Sequence, residues 1–459
     1  MAVERCPQQP QEARTVHQRH TDRFDPTRLA RALPAQPIAV GFSGGLDSSV
    51  LLHALAALPA ARGNGLRAIH VHHGLHPDAD IWADHCAQVG AELGLAVAIA
   101  HVSVDLDQGI GLEAAARHAR YAAFRAQLAE HEVLALAHHQ DDQAETVLLR
   151  LLRASGSDGL AAMNQWRVPC GNAIWRPLLN QPRAALLAYA QANALHWIED
   201  PSNAEHGPDR NFLRHRVLPL LRERWPQAGA ALARSAELLA SDAQSLRNAA
   251  AALLAEVQTA DPATVSVAAV LAQAPASRAR LLRLWVEQQG LPPLRGSAIE
   301  IIESQLLHAR ADAQPQYRWQ GARMQRWRDL LHVGVEQPPL PVDWHAQWDL
   351  HTPLQLPGGG SLRLEPAPAH VDCTLRVRAR RGGERIRLPA REHHHSLRHV
   401  LQQHAVPPWQ RARLPLLFAA DGELLAAGDH IISARWQAWQ DHNGTRLHWD
   451  RAFDLPTTR

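Results

Sequence analysis

Between residues 37 and 154, continuous apolar runs alternate with stretches whose apolar positions recur at helical spacing. The runs are PIAVGF (37–42), AIHVHH (68–73), VAIAHV (97–102) and VLALAH (133–138). Apolar runs without polar-out alternation are the pattern of strands covered on both faces. The segments near 47–58, 78–94, 112–132 and 141–154 carry the helical period between and after them. This predicts an α/β domain with a Rossmann-like, doubly wound parallel sheet. Such sheets bind ligands at the carboxyl ends of their strands.

The pattern changes after Ala154. A Gly/Ser turn (155–157), the run WRPLL and a helix around 182–194 complete a first domain, placed at 25–226 behind a polar extension at 1–24. The Ala- and Leu-rich stretch 227–258 and the segment 277–310 keep helical period and predict a helical domain over 227–335. The Pro-rich EQPPLPVDW (336–344) opens a linker placed at 336–349. From 350 to 459, short strand-like runs, glycine turns and arginines predict a small α+β domain.

Composition narrows the class. No apolar run is long enough to span a bilayer, so no membrane partner is expected. The first residues lack the apolar core of a secretory signal, which makes a cytoplasmic location the expectation. The four cysteines, Cys6, Cys86, Cys170 and Cys373, are scattered without a C-x-x-C pair, against a disulfide framework or a cysteine zinc site. Net charge is only +2, but all 47 fixed cations are arginine. The abundance of Ala, Arg, Pro and Gly makes compositional bias the simple reason. The consequence is that every phosphate or carboxylate contact uses a guanidinium fork. Arginine concentrates at Arg210, Arg214, Arg216, Arg222 and Arg224, and again between Arg376 and Arg398, where Arg380, Arg381 and Arg385 sit and only Glu384 and Glu392 oppose them. Such clusters are either solvated faces or footprints for a phosphate backbone.

Chemistry concentrates in two places. Ser43-Gly44-Gly45-Leu46-Asp47-Ser48 follows the first strand and opens a helix. Glycines let a backbone turn close to phosphate oxygens, and free N–H groups at a helix start hold the anion. Asp47 is wrong for direct phosphate contact but suited to Mg²⁺ on a pyrophosphate. Without lysine the loop is no Walker A motif. The second place is His138-His139-Gln140-Asp141-Asp142-Gln143-Ala144-Glu145-Thr146, at the end of a strand and the start of a helix. Asp142 and Glu145 are three apart and Asp141 and Glu145 four apart, which puts the acids on one helical face. One acid there would only complement the helix dipole. Three acids behind two histidines could bind an ammonium group, Mg²⁺ or both. The histidines at 70, 72, 73 and 76 also invite a metal reading, but strand alternation sends His72 and His73 to opposite faces.

The loop at 43–48 resembles the PP-loop of ATP pyrophosphatases. HVHHGLHPDADIWADHC, LEAAARHARYAAF, HHQDDQAETVLLRLLRASGSDGLAAM and WIEDPSNAEHGPDRNFLRHRVLPLL together resemble the tRNA(Ile)-lysidine synthases. Looser likeness continues through LLRLWVEQQG and DAQPQYRWQG to RRGGERIRLPAREHHHSLRHVLQQHAVPPWQRARLPLLF. His72 stands where that family usually has asparagine. Glu205 and Pro208 stand where aspartate and an aromatic are more usual.

The resemblance implies a PP-loop catalytic domain and a reaction. ATP sits on Ser43–Ser48 with Mg²⁺ on Asp47. The wobble cytidine of an isoleucine tRNA with a CAU anticodon is adenylated at its C2 oxygen, and free L-lysine then displaces AMP. It implies Asp142 and Glu145, with Asp141 and His138, as the lysine site. Arg117, Arg210 and Arg214 become holders of phosphates or the flipped base, and Asn211 a contact to base or AMP. Arg380, Arg381 and Arg385 become tRNA contacts. A homodimer is compatible with all of this. The neighbouring alternatives are a tRNA thiolase, which would want paired cysteines, and an amidotransferase-type synthetase, for which Met1-Ala2 offers no nucleophile. A tRNA-binding protein without catalysis is the third, and the intact SGGLDS and DDQAE count against it.

Overall fold

The computed structural model describes residues 24–104, 112–168, 171–204, 207–310, 313–368, 373–391 and 393–451. The chain divides into two compact units, one through Leu246 and one from Arg247 onward, with the division inside the helix Ala228–Val257.

The first unit is built on a six-stranded sheet. Its strands are β1 (Ile38–Gly41), β2 (Leu66–His72), β3 (Val97–His101), β4 (Val133–Ala135), β5 (Trp166–Arg167) and β6 (Ile174–Trp175), in the order β3-β2-β1-β4-β6-β5. All neighbours are parallel except β5, which closes the edge antiparallel to β6. Strand alternation sorts β1 between two cores. Ile38 and Val40 join Leu51, Leu55 and Leu186 from the helices Leu46–Ala56 and Arg183–Ala192. Ala39 faces the other way, to Ile69, Leu134 and Phe124 of the helix Leu112–Gln127. Helices on both faces are what continuous apolar strands require. The pair β5–β6 is an addition to the four strands the apolar runs predict.

Val40 of β1 pairs with Ala68 on one side and Ala135 on the other. The order therefore reverses at β1, and the segments leaving β1 and β4 emerge side by side at one sheet edge. Those segments are the glycine loop and the histidine–acid cluster.

The second unit holds the helices Val267–Ala272, Pro275–Gln288 and Gly296–Ile301 around the buried Trp285. The helices come with a four-stranded antiparallel sheet made of Thr264–Ser266, Leu330–Val335, Ala322–Trp327 and Gln316–Trp319. The helical period does not point to this sheet; two of its strands bury alternate residues, such as Leu331 and Val333, against the helices. Beyond it, His345–Trp348, Leu375–Arg378, Leu416–Phe418, Leu424–Ala427 and Ile431–Ile432 form a five-stranded antiparallel sheet. The strand His345–Trp348 lies within the stretch read as linker. Among the described residues no helix is long and apolar enough to cross a membrane.

Candidate active site

The glycine loop is bound tightly to itself. Gly44 sits at φ +81°, and a Cβ there would lie 2.8 Å from Ile198 Cδ1 and 3.0 Å from Cys86 Sγ. Its carbonyl accepts the Ile198 N–H at 2.9 Å. Ser48 Oγ donates to Gly45 O at 3.0 Å and accepts the Ser43 N–H at 3.2 Å, while the Ser43 and Ser48 hydroxyls meet at 3.0 Å. The serines thus shape the loop, and Gly45 caps the helix Leu46–Ala56 in extended backbone. Gly44→Ala is expected to strain the backbone by about 1–3 kcal/mol and, because the loop must shift, to weaken ATP binding by about tenfold or more. Calorimetric titration with ATP checks this; unchanged affinity would mean the loop accepts a side chain there.

Asp47 lies in the first turn of that helix. Its Oδ1 is buried without a hydrogen-bond partner, with Arg183 Nε 3.9 Å away. Its Oδ2 lies 3.5 Å from His139 Nε2, and the same nitrogen lies 3.5 Å from Asp142 Oδ2. His139 is 2 % exposed and caps the helix Gln140–Leu151, its Nδ1 accepting the Asp142 N–H while Asp142 Oδ2 accepts the His139 N–H. That cap puts the ring proton on Nε2, between the two acids. Burial disfavours a charged ring, but Asp142 and Asp47 outweigh it and hold the His139 pKa above its ordinary value. The cap resists a second proton, since a protonated Nδ1 cannot accept. His139 therefore joins the serine–glycine loop to the acid cluster, next to His138, the histidine expected at the lysine site.

His138 is different in kind. Burial drives its pKa down to about 3 against the pull of Asp142, so the ring is neutral, with Nδ1 unpartnered. Arg176, Arg117 and Arg210 act on it from the surroundings. Arg176, from WRPLL, is a buried guanidinium whose Nη1 donates to Asn164 O at 2.9 Å and whose Nε has no partner. Arg117 is exposed and stacks over Tyr121 at 5.2 Å. Arg210 donates to Thr146 Oγ1 at 3.2 Å, and Asn211 to Ser202 O at 3.0 Å.

The acids are all paired with arginine. Glu145 is 0 % exposed and is held by Arg214, with Nε 2.6 Å from Oε1 and Nη2 3.1 Å from Oε2. The same Nη2 reaches Asp142 Oδ1 at 3.1 Å. Asp141 meets Arg222 at 3.0 Å. Burial raises the Glu145 pKa, with Arg214 opposing. For Asp142, burial is overcome by the charge of His139, by the His139 backbone N–H and by Arg214, and its pKa is lowered. Arg214 sits within a π-helical turn at Leu213–Val217, an irregularity common at functional sites, and Arg222 follows in the helix Leu218–Arg224.

A pH test follows from Glu145. Its folded pKa is raised, so its contribution to stability is present at acid pH and lost as pH rises through the folded value. Removing Arg214 removes the opposing charge. Arg214→Ala is expected to cost about 3–5 kcal/mol at neutral pH, because a buried carboxylate loses its partner. The gap in melting temperature between variant and parent should widen from pH 5 to pH 8. A gap independent of pH would show that the ion pair does not govern this residue.

His72 and His73 do part as alternation requires. His72 Nε2 meets Asp80 at 3.0 Å and its ring packs on His101, while His73 Nε2 accepts from Arg120 at 3.4 Å. Among the described residues no group of three or more ligand-type side chains is placed to hold a metal ion. Cys86 is buried beneath Gly44, its thiol pKa pushed up to about 12 by burial, and Cys373 is exposed. Cys6, Cys170, Glu205 and Glu392 lie outside the described residues. In the second unit, Arg381 and Gly382 donate backbone N–H groups to Glu384, Arg380 lies 3.8 Å from it, and Arg385 donates to His394 O at 2.9 Å.

A parallel sheet that presents a serine–glycine loop with an acidic first turn, beside an acid cluster at the same edge, defines a PP-loop enzyme that uses ATP. The PP-loop domain family matches residues 14–221, the TilS substrate binding domain 266–332 and the TilS substrate C-terminal domain 375–449. The chain belongs to the tRNA(Ile)-lysidine synthase family and is a ligase of that group. It is 51 % identical to the tRNA(Ile)-lysidine synthase of Xanthomonas axonopodis pv. citri over 93 % of this chain and 97 % of that one. It is 50 % identical to that of Xylella fastidiosa strain 9a5c, covering 91 % and 95 %, and 39 % identical to that of Serratia proteamaculans, covering 92 % and 98 %.

Proposed function

We propose that the chain joins free L-lysine to C2 of the wobble cytidine in the CAU anticodon of an isoleucine tRNA, changing the codon read from AUG to AUA. The observation that carries this reading is His139, whose Nε2 lies 3.5 Å from both Asp47 and Asp142. An ATP-cleaving loop and an amine-binding acid cluster that share one histidine suit two successive steps at one centre.

In the first step the cytidine C2 oxygen attacks the α-phosphate of ATP on Ser43–Ser48, and pyrophosphate leaves. The buried Oδ1 of Asp47, which accepts no hydrogen bond, fits a hard cation. Mg²⁺ bound there would offset charge on the pyrophosphate. In the second step the lysine ε-amine attacks C2 and AMP departs. The amine arrives as ammonium, and Asp142 and Glu145, with Asp141 and neutral His138 beside them, bind it and take its proton.

Arg214 and Arg222 pair with these same carboxylates, so lysine binding is a cation exchange. The guanidinium groups pass to phosphates of the tRNA while the ammonium takes the acids. Arg117, Arg176 and Arg210 add positive charge around His138 for the flipped base or its phosphates. Asn211 lies in the same segment. Arg380, Arg381 and Arg385, with the surrounding arginines, serve the tRNA backbone, and binding should weaken steeply with salt.

The test is incubation with ATP, labelled lysine and isoleucine tRNA carrying CAU. Label in the tRNA, dependent on ATP and accompanied by AMP, is expected. No incorporation, or incorporation of sulfur from a persulfide donor instead, overturns the reading.

A further inference from the structure

We propose that the corner of the five-stranded sheet in the second unit where His345–Trp348, Leu375–Arg378 and Leu416–Phe418 adjoin holds a pocket for one unpaired nucleotide of a bound RNA. This rests on the reading above that the partner is RNA, and adds a site to it. Within Leu375–Arg378, Leu375 and Val377 are buried in the core, so Arg376 and Arg378 share the opposite, outward face. Register sets Gln347, Arg376 and Phe418 side by side across three strands. With Thr374, Arg378, Ala419, Ala420 and Gly422 they line a concavity of about 520 Å³. That is room for a group the size of a nucleotide.

The chemistry of the lining is specific. Arg378 lies over the Phe418 ring, 4.4 Å from its centroid. It is fixed there by Nη1, which donates to Ala379 O at 2.9 Å and to Glu384 at 3.2 Å. A guanidinium plane locked on an aromatic ring, with its charge matched by a carboxylate, is a stacking surface more than a phosphate ligand. Stacking on such planes is how proteins hold splayed-out RNA bases. Arg376, exposed and one pleat away, supplies the cation for the adjoining phosphate. The amide of Gln347 offers a donor and an acceptor to a base edge. The acids of the nearby turn, Asp421 and Glu423, are both engaged by Arg435, which leaves the positive charge of Arg376 for an anion. A duplex would call for a basic track with no aromatic floor. An acidic peptide would have no use for the Phe418–Arg378 stack.

The experiment uses the full chain with two variants, Arg376→Gln and Phe418→Leu. Phe418→Leu keeps an apolar side chain against the core and removes the π face, and melting curves establish that both variants fold. Binding is measured by fluorescence anisotropy with a labelled single-stranded oligoribonucleotide of about six nucleotides and with an RNA hairpin of fully paired stem. Each variant is expected to lose about tenfold in affinity for the single strand and less than about twofold for the hairpin stem. Arg376→Gln should also flatten the salt dependence by about one phosphate contact. Unchanged single-strand binding in both folded variants overturns the proposal. So does an equal loss for strand and stem, which would make the face a general phosphate surface. Because the assay contains neither ATP nor lysine, failure of lysine transfer leaves it standing, and its own failure leaves lysine transfer untouched.

Discussion

Asp47→Asn is expected to lower tRNA-dependent pyrophosphate release and lysine incorporation together, by about three orders of magnitude, with the fold intact. Asp47 is 30 % exposed at its side chain and lies in a first helical turn, where asparagine is accommodated without a cavity. Its Oδ1 has no hydrogen-bond partner inside the protein, only Arg183 Nε at 3.9 Å, so the substitution breaks no internal hydrogen bond there. What it removes is the negative charge that a cation on the departing pyrophosphate would require. Charge stabilisation of this kind is worth several kcal/mol, and each 1.36 kcal/mol is tenfold in rate. The two readouts should fall in parallel because lysine attack needs the adenylated cytidine. Near-normal turnover in a folded variant would remove Asp47 from the reaction.

Glu145→Gln should instead separate the two steps. In the proposed mechanism cytidine adenylation draws on the loop at 43–48 and on Asp47, and Glu145 touches neither; its oxygens face Arg214. Lysine attack needs a group that binds ammonium and accepts its proton. Glutamine keeps the shape but has neither the charge nor the basicity. Pyrophosphate release is therefore expected to continue, while lysine incorporation falls by about two orders of magnitude or more, the usual worth of a general base. Apparent affinity for lysine should fall as well. Losing Glu145 also leaves Arg214 with Asp142 alone, so the melting temperature belongs in the same experiment. Parallel loss of both steps in a folded variant would move Glu145 to the nucleotide site.

Much of the first unit could be read along the chain because its signals are local. The strands β1 to β4 announce themselves as apolar runs, and the loop at 43–48 is six consecutive residues. That His139 bridges Asp47 and Asp142 is not legible from the strand that ends there. Its role as a helix cap carries no usual signature either, since a capping box reads as Ser or Thr followed three residues on by Glu or Gln. The sheet of the middle region was missed for a different reason. QYRW and ARMQRW alternate around Gln320-Gly321, a hairpin signature hidden by the helical stretch before it.

The chain alone determines the elements whose physics is short-ranged: buried parallel strands, a serine–glycine turn at a helix start and acids on one face of a helix. It also settles that all fixed positive charge is guanidinium. Tertiary structure decides what these groups meet. Arg214 reaches Glu145 across 69 positions, and Asp47 shares a histidine with Asp142 because β1 and β4 are neighbours in the sheet. Periodicity carries no information about pairings at such separation. They depend on strand order and on which buried charge finds a partner, and the low dielectric of a closed core makes that partner obligatory.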